Sequence, residues 1–189
     1  MRATATAAPA RHRFTVDEFY RMVDAGIFME DDPVELIEGE IIEMSPEGSP
    51  HAACITDQAE ILQERLRGRA IIRVQHPIHL GDNSEPEPDI AVVRLRDDRY
   101  RSGHPRPEDV LLAIEVAHST LAFDRETKIP NYGRNGIPES RLWDLLGRCV
   151  HVFRDPGPDG YATVATYRGS DVLSPLAFPE VEVRVDQVF

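Results

Sequence analysis

"PDIAVVRL" (Pro88–Leu95) and "VLLAIEVA" (Val110–Ala117) set the fold class of this chain. Both runs are short, rich in β-branched and aliphatic residues, and bounded by polar, Pro-containing loops, which predicts two strands. Each carries one carboxylate: Asp89 opens the first, and Glu115 lies inside the second with apolar neighbours on both sides. An isolated ionised carboxylate in that setting is costly to bury and needs a cation. If the strands are neighbours, both carboxylates lie on one edge of the sheet, where like charges share a proton or bind a metal.

The flanking segments supply the layers. "TVDEFYRMVDAG" (Thr15–Gly26) is a predicted helix with Thr15 and Glu18 spaced as a capping box. "PVELIEGEIIEMS" (Pro33–Ser45) predicts a hairpin turning at Glu38-Gly39. "SPHAACITDQAEILQERLRG" (Ser49–Gly68) is the clearest helix, with Ser49 as its expected cap and Ile55, Ala59, Leu62 and Leu66 as its apolar stripe. "AIIRVQHPIHL" (Ala70–Leu80) predicts a further strand. "TLAFDRETKIPNYGRNG" (Thr120–Gly136) predicts a helix ending at Gly136, with Pro130 awkward in its middle. Strands follow in "SRLWDLL", "CVHVFRD" and "YATVATYRG", and "LSPLAFPEVEVRVDQVF" is a closing segment that packs back on the core. Strand runs with a helix before and a helix within them predict a mixed α/β sheet flanked by helices.

The chain has 189 residues and a formal net charge of −12, which counts against coating nucleic acid by bulk electrostatics. Residues 1–12 read as a disordered tail, with 13–189 as one domain. The start lacks the order of a secretion signal, and no apolar run is long enough to span a bilayer, so the expectation is a cytoplasmic protein without a membrane segment. Cys54 and Cys149 make no CxxC and read as two reduced, buried thiols.

Hard carboxylate ligands suit Mg2+ or Mn2+, so Asp89 and Glu115 are the candidate metal ligands. Lys128, the single lysine, stands just beyond Glu115, where it is placed to stabilise charge building on an attacked phosphate. It is expected at the rim of the site. His51 sits in the first turn of its helix, at the edge of the site, and Glu40 is a candidate further metal ligand. A surface histidine and a solvated acidic hairpin are the competing readings of those two. The pair His76 and His79 is rejected as a zinc site, because a separation of three on a strand puts them on opposite faces. Arg94, Arg96, Arg99, Arg101 and Arg106 flank the ligand strands, either tracking a phosphate backbone or forming a solvated loop.

"VELIEGEIIEMSPEGSPHAACI", "EPDIAVV", "AIEVAHST", "DRETK", "NYGRNGIPE" and "VHVFR" follow one another as in the Uma-two family of endonucleases. The chain resembles that family from about Phe14 to its end. The family is part of the PD-(D/E)XK, or restriction-endonuclease-like, superfamily. The resemblance implies a restriction-endonuclease-like mixed β-sheet flanked by helices, here with an added N-terminal helix and β-hairpin. It also implies divalent-metal-dependent hydrolysis of phosphodiester bonds in DNA. By motif match Asp89 takes the D of PD and Glu115 the D/E. Ala117 stands where the usual lysine would, and the family's supply of lysine from the next helix points to Lys128. A duplex substrate further implies a homodimer with two-fold symmetry. A non-catalytic binding or interaction protein on the same scaffold is the alternative, to which the acidic net charge is congenial.

Overall fold

The computed structural model describes residues 10–29 and 31–189. Most of the expected tail, residues 1–9, lies outside the described residues; 10–12 are exposed and irregular. The expected Thr15 box caps helix α1 (Val16–Asp24): the Thr15 hydroxyl accepts from the Glu18 N–H, and Glu18 accepts from the Thr15 N–H. The hairpin β1 (Val34–Ile37) and β2 (Glu40–Glu43) turns at Glu38-Gly39, as expected, with both residues at positive φ. It docks through Leu36, whose carbonyl accepts from the Glu85 N–H at 2.7 Å. Helix α2 (Ser49–Arg65) starts one residue earlier than its sequence suggests: Gly48 is the cap, and Ser49 and Pro50 lie in the first turn.

Six strands form the central sheet in the order β3-β4-β5-β6-β7-β8. They are β3 (Ala70–Val74), β4 (Ile90–Arg94), β5 (Val110–Ala117), β6 (Glu139–Asp144), β7 (Cys149–Gly157) and β8 (Gly160–Arg168). Only β5 and β6 run parallel. The third strand stops at Val74 rather than Leu80, because Gln75 adopts a left-handed φ of 50° that ends the extended run. Short strands β9 (Val172–Leu173) and β10 (Val183–Arg184) form a separate pair in the closing segment.

Alternation of side chains gives the sheet two apolar faces. On one, Ile90, Val92, Leu112, Ile114, Val116 and Trp143 pack with α2 and the closing segment. On the other, Ala91, Ala113, Ala117 and Leu142 pack with Ile129 and Tyr132. The connection between the parallel strands lies on that second face. It begins as α3 (Leu121–Phe123), widens into a π turn over Asp124–Lys128, and continues as α4 (Ile129–Arg134). The Ile129 N–H donates to the Asp124 carbonyl, five residues back. This wide turn is how a helix accommodates Pro130, which has no N–H and whose ring would crowd the carbonyl four residues before it. Close docking of α4 depends on Gly133: a Cβ there would lie 2.5 Å from the Gly160 carbonyl carbon.

Candidate active site

Strands β4 and β5 are antiparallel neighbours, with Ile90 opposite Ile114. One step further along each strand come Asp89 and Glu115, at the same end of the sheet. There the β5 backbone positions Asp89: the Val116 N–H donates to its Oδ2 at 2.7 Å. A cleft of about 620 Å³ opens over this end, lined by residues of the β1–β2 hairpin, α2, β5 and the π turn. Asp89, Glu115, Lys128 and His51 all line it.

Lys128 is the centre of the cleft floor. Its ammonium donates to Glu115 Oε2 at 3.1 Å, to Glu35 Oε1 at 3.3 Å and to the Glu87 carbonyl at 3.3 Å. It is only 2% exposed, so the expectation of a rim lysine is corrected. The π turn carries it inward between two carboxylates rather than out to solvent. The Tyr132 hydroxyl, one turn further along, donates to Glu115 Oε1.

Glu40 is the residue the structure does not bring in. It points outward on β2, 2.8 Å from Arg13, and does not line the cleft. The alternation of the hairpin instead buries Glu35 on β1, 3% exposed, with Oε1 on Lys128 and Oε2 without any partner. Glu35, Glu47, Glu87 and Asp124 are the lining carboxylates that sequence reasoning missed. Glu35 has a signal that was available: like Glu115, it stands between apolar neighbours, Val34 and Leu36.

The charges do not balance. Six carboxylates (Glu35, Glu47, Glu87, Asp89, Glu115 and Asp124) line this cleft with Lys128, His51 and His118. Burial pushes Glu115 well above the usual carboxylate range, against the pull of Lys128. Burial also raises Asp124 to about 6, against the hydrogen bond from the Thr120 hydroxyl at 2.6 Å. Burial, then the Glu35 charge, raises Glu87. For Lys128, burial opposes the charge, but Glu115, Glu35, Asp89 and Asp124 outweigh it and hold the amine protonated. His51 Nε2 lies 3.3 Å from Asp89 Oδ2 and Nδ1 lies 3.5 Å from Glu47 Oε1. The Asp89 hydrogen bond raises its pKa, opposed by burial and aided by the charges of Asp89 and Glu47.

An acid excess in a buried cleft, with one carboxylate oxygen unpartnered, is a donor set that fits a hard divalent cation. Asp89, His51 and Glu47 also have ligand atoms within 4.8 Å of one another.

The family model described as "Putative restriction endonuclease", Uma2, matches residues 16–186. The chain belongs to the Uma2 family. A structural neighbour from Anabaena variabilis ATCC 29413, described as "a putative nuclease belonging to DUF820", superposes with a TM-score of 0.72 at 21% identity. The match covers 93% of this chain and 97% of that one, which establishes a shared fold. No curated protein matches the chain. The Uma2 membership and this neighbour agree with the mixed α/β sheet predicted from the strand pattern and with the restriction-endonuclease-like fold that the family resemblance implies.

The arginine-rich segment is not part of this cleft. It connects β4 to β5, and because those strands are antiparallel, their connection lies at the opposite end of the sheet from Asp89 and Glu115. Arg94 bonds the Glu108 carbonyl at 3.0 Å, and Arg96 pairs with Asp98 at 2.7 Å. The solvated-loop reading describes them. Among the described residues no helix is long and apolar enough to cross a membrane.

Proposed function

We propose that the cleft is the active site of a divalent-metal-dependent endonuclease that hydrolyses phosphodiester bonds in DNA. The observation that carries this is the buried acid excess around a single lysine: Asp89 and Glu115 facing the cleft, with Lys128 held between Glu115 and Glu35. Asp89 and Glu115 hold the ion, with Glu35 Oε2 as a further free donor. Bound Mg2+ or Mn2+ supplies a Lewis acid that acidifies a water and neutralises phosphate charge. Lys128, fixed by Glu115 and Glu35, presents a preorganised positive charge to the phosphate as its negative charge develops. His51, at the cleft edge on α2 and beside Asp89, helps to orient a water or a phosphate oxygen there. A homodimer places two such clefts about a two-fold axis, which matches the symmetry of a duplex.

The test is cleavage of supercoiled and linear DNA with Mg2+ and with Mn2+, comparing wild type with Glu115→Gln and Asp89→Asn. Activity in wild type alone supports the assignment. Equal activity in the variants removes it. The second reading, a non-catalytic binding protein, is favoured by one feature: among the described residues no arginine lines the cleft. Wild-type protein that cuts nothing with either metal moves that reading ahead. Light scattering at micromolar concentration reads the dimer separately.

A further inference from the structure

The β6–β7 turn carries a second group of potential ligands, outside the cleft. Asp144 ends β6, Cys149 starts β7 directly opposite it in register, and His151 follows two residues later on the same face. One ligand atom from each lies within 4.8 Å of the others. The Cys149 Sγ to His151 Nε2 distance is 3.6 Å. Zinc bonds of about 2.3 Å to sulfur and about 2.1 Å to nitrogen in a tetrahedron put those two atoms about 3.6 Å apart.

The surroundings prepare each ligand. His151 Nδ1 lies 2.9 Å from the Thr166 hydroxyl on β8. A proton on Nδ1 donated to that oxygen leaves the Nε2 lone pair free and aimed at Cys149, the arrangement in which histidines ligate metals. Asp144 Oδ1 accepts from the Gly147 N–H at 2.7 Å, which locks the carboxylate over the turn and leaves Oδ2 for a further bond. Burial pushes the Cys149 thiol up, and Arg168, opposite it in register with its guanidinium on the Gly147 carbonyl at 2.8 Å, pulls back toward the thiolate.

We propose that Asp144, Cys149 and His151 form a binding site for a borderline-soft transition-metal dication, Zn2+ by ligand chemistry. Binding forms Zn–S, Zn–N and Zn–O bonds and releases the Cys149 thiol proton to solvent. The donor set of one sulfur, one imidazole and one carboxylate selects against Mg2+, which prefers oxygen ligands. Glu115, Leu142 and His151 form one row across the sheet, so the site shares a face with the cleft, about 10 Å from Glu115 by strand spacing. The two sites therefore select different ions side by side.

Co2+ replaces Zn2+ as the probe, because a thiolate ligand gives a sulfur-to-cobalt charge-transfer band in the near ultraviolet that oxygen ligands do not. Wild type is titrated with Co2+ in millimolar Mg2+, then back-titrated with Zn2+. The expected result is one equivalent of Co2+ with a thiolate band, displaced by Zn2+ and insensitive to Mg2+. Cys149→Ser and His151→Ala should lose the band or weaken Co2+ binding at least about tenfold. Cys54→Ser and Glu115→Gln should keep it. Circular dichroism monitors folding, and half-exposed His151 provides the readout if Cys149→Ser unfolds. A wild-type protein without the band at millimolar Co2+, a band that survives in Cys149→Ser, or one abolished by Mg2+ overturns the proposal.

Discussion

Lys128 and Tyr132 stand one helical turn apart and end on the same carboxylate, that of Glu115: the ammonium reaches both of its oxygens at 3.1 Å, and the hydroxyl donates to Oε1. The π turn and α4 thus address one β5 side chain twice. Under the proposed function, activity and stability are coupled at this point, and the coupling can be measured.

Lys128→Met should destabilise the protein by about 3–5 kcal/mol at neutral pH, because it leaves Glu35 and Glu115 buried without their cation. Cleavage should fall by about two to three orders of magnitude where the wild type is active. Without the ammonium, the already raised Glu115 pKa rises further. A group whose folded pKa lies above its unfolded value stabilises below the unfolded pKa and loses that contribution as pH rises through the folded one. The gap in melting temperature between variant and wild type should therefore widen from about pH 5 to about pH 8. A gap independent of pH would show that the lysine does not offset these carboxylates.

Tyr132→Phe removes one donor from Glu115 and leaves Lys128 in place. The expected loss is about 1–3 kcal/mol of stability, the range for a buried acceptor deprived of a partner. Cleavage should drop far less than in Glu115→Gln, since the hydroxyl positions the carboxylate and does not touch the phosphate. Denaturant melts and single-turnover rates separate the two effects. A drop equal to that of Glu115→Gln would make the tyrosine a participant in the chemistry.

The His51 imidazole reports on Asp89. Its pKa is raised chiefly by the hydrogen bond to Asp89. The resulting stabilisation is fully present below about pH 6.5 and is lost as pH rises through the raised folded value. Asp89→Asn should lower the His51 pKa in an NMR titration. In wild type, Mg2+ should lower it too, because an ion on Asp89 competes with the imidazolium. An unmoved His51 titration in saturating Mg2+ would place the ion elsewhere.

Asp124 behaves in the opposite sense to a surface aspartate. Its pKa is raised by burial from 3.8 to about 6. Ionising it in the folded state therefore costs stability, which falls as pH climbs from about 4 to about 6. Asp124→Asn keeps an acceptor for Thr120 and removes the charge. In a chelator it should stabilise the protein by up to about 3 kcal/mol at pH 8 and leave it unchanged near pH 4. Equal effects at both pH values would mean that Asp124 titrates normally.

Much of this arrangement was readable from residues alone, for identifiable reasons. Asp89 and Glu115 stood out because each is a charge set against an apolar run, and burial makes such a charge conspicuous. Glu35 has the same signature but lies among seven other acids between Glu30 and Glu47, and that dense charge leaves it indistinguishable from Glu40 by sequence alone. The burial of Lys128 was not legible, because it depends on a π turn that only the packed helix reveals. The position of the arginine segment was deducible in principle. A loop joining two antiparallel strands must lie at the end opposite a site formed where one strand begins and the other finishes.

The wide turn at Asp124–Lys128 also makes the helix sensitive to length. A π turn is an α-helix holding one surplus residue. Deleting exposed Arg125 or Glu126 would remove the surplus residue, force the helix to kink at Pro130 instead, and swing everything before the turn by about 100° relative to everything after. Asp124 and Thr120 would then turn away from the side on which Lys128 and Tyr132 meet Glu115. A single-codon deletion would thus act as a rotation of one half of the helix against the other, changing the number of acids in the cleft without replacing any of them.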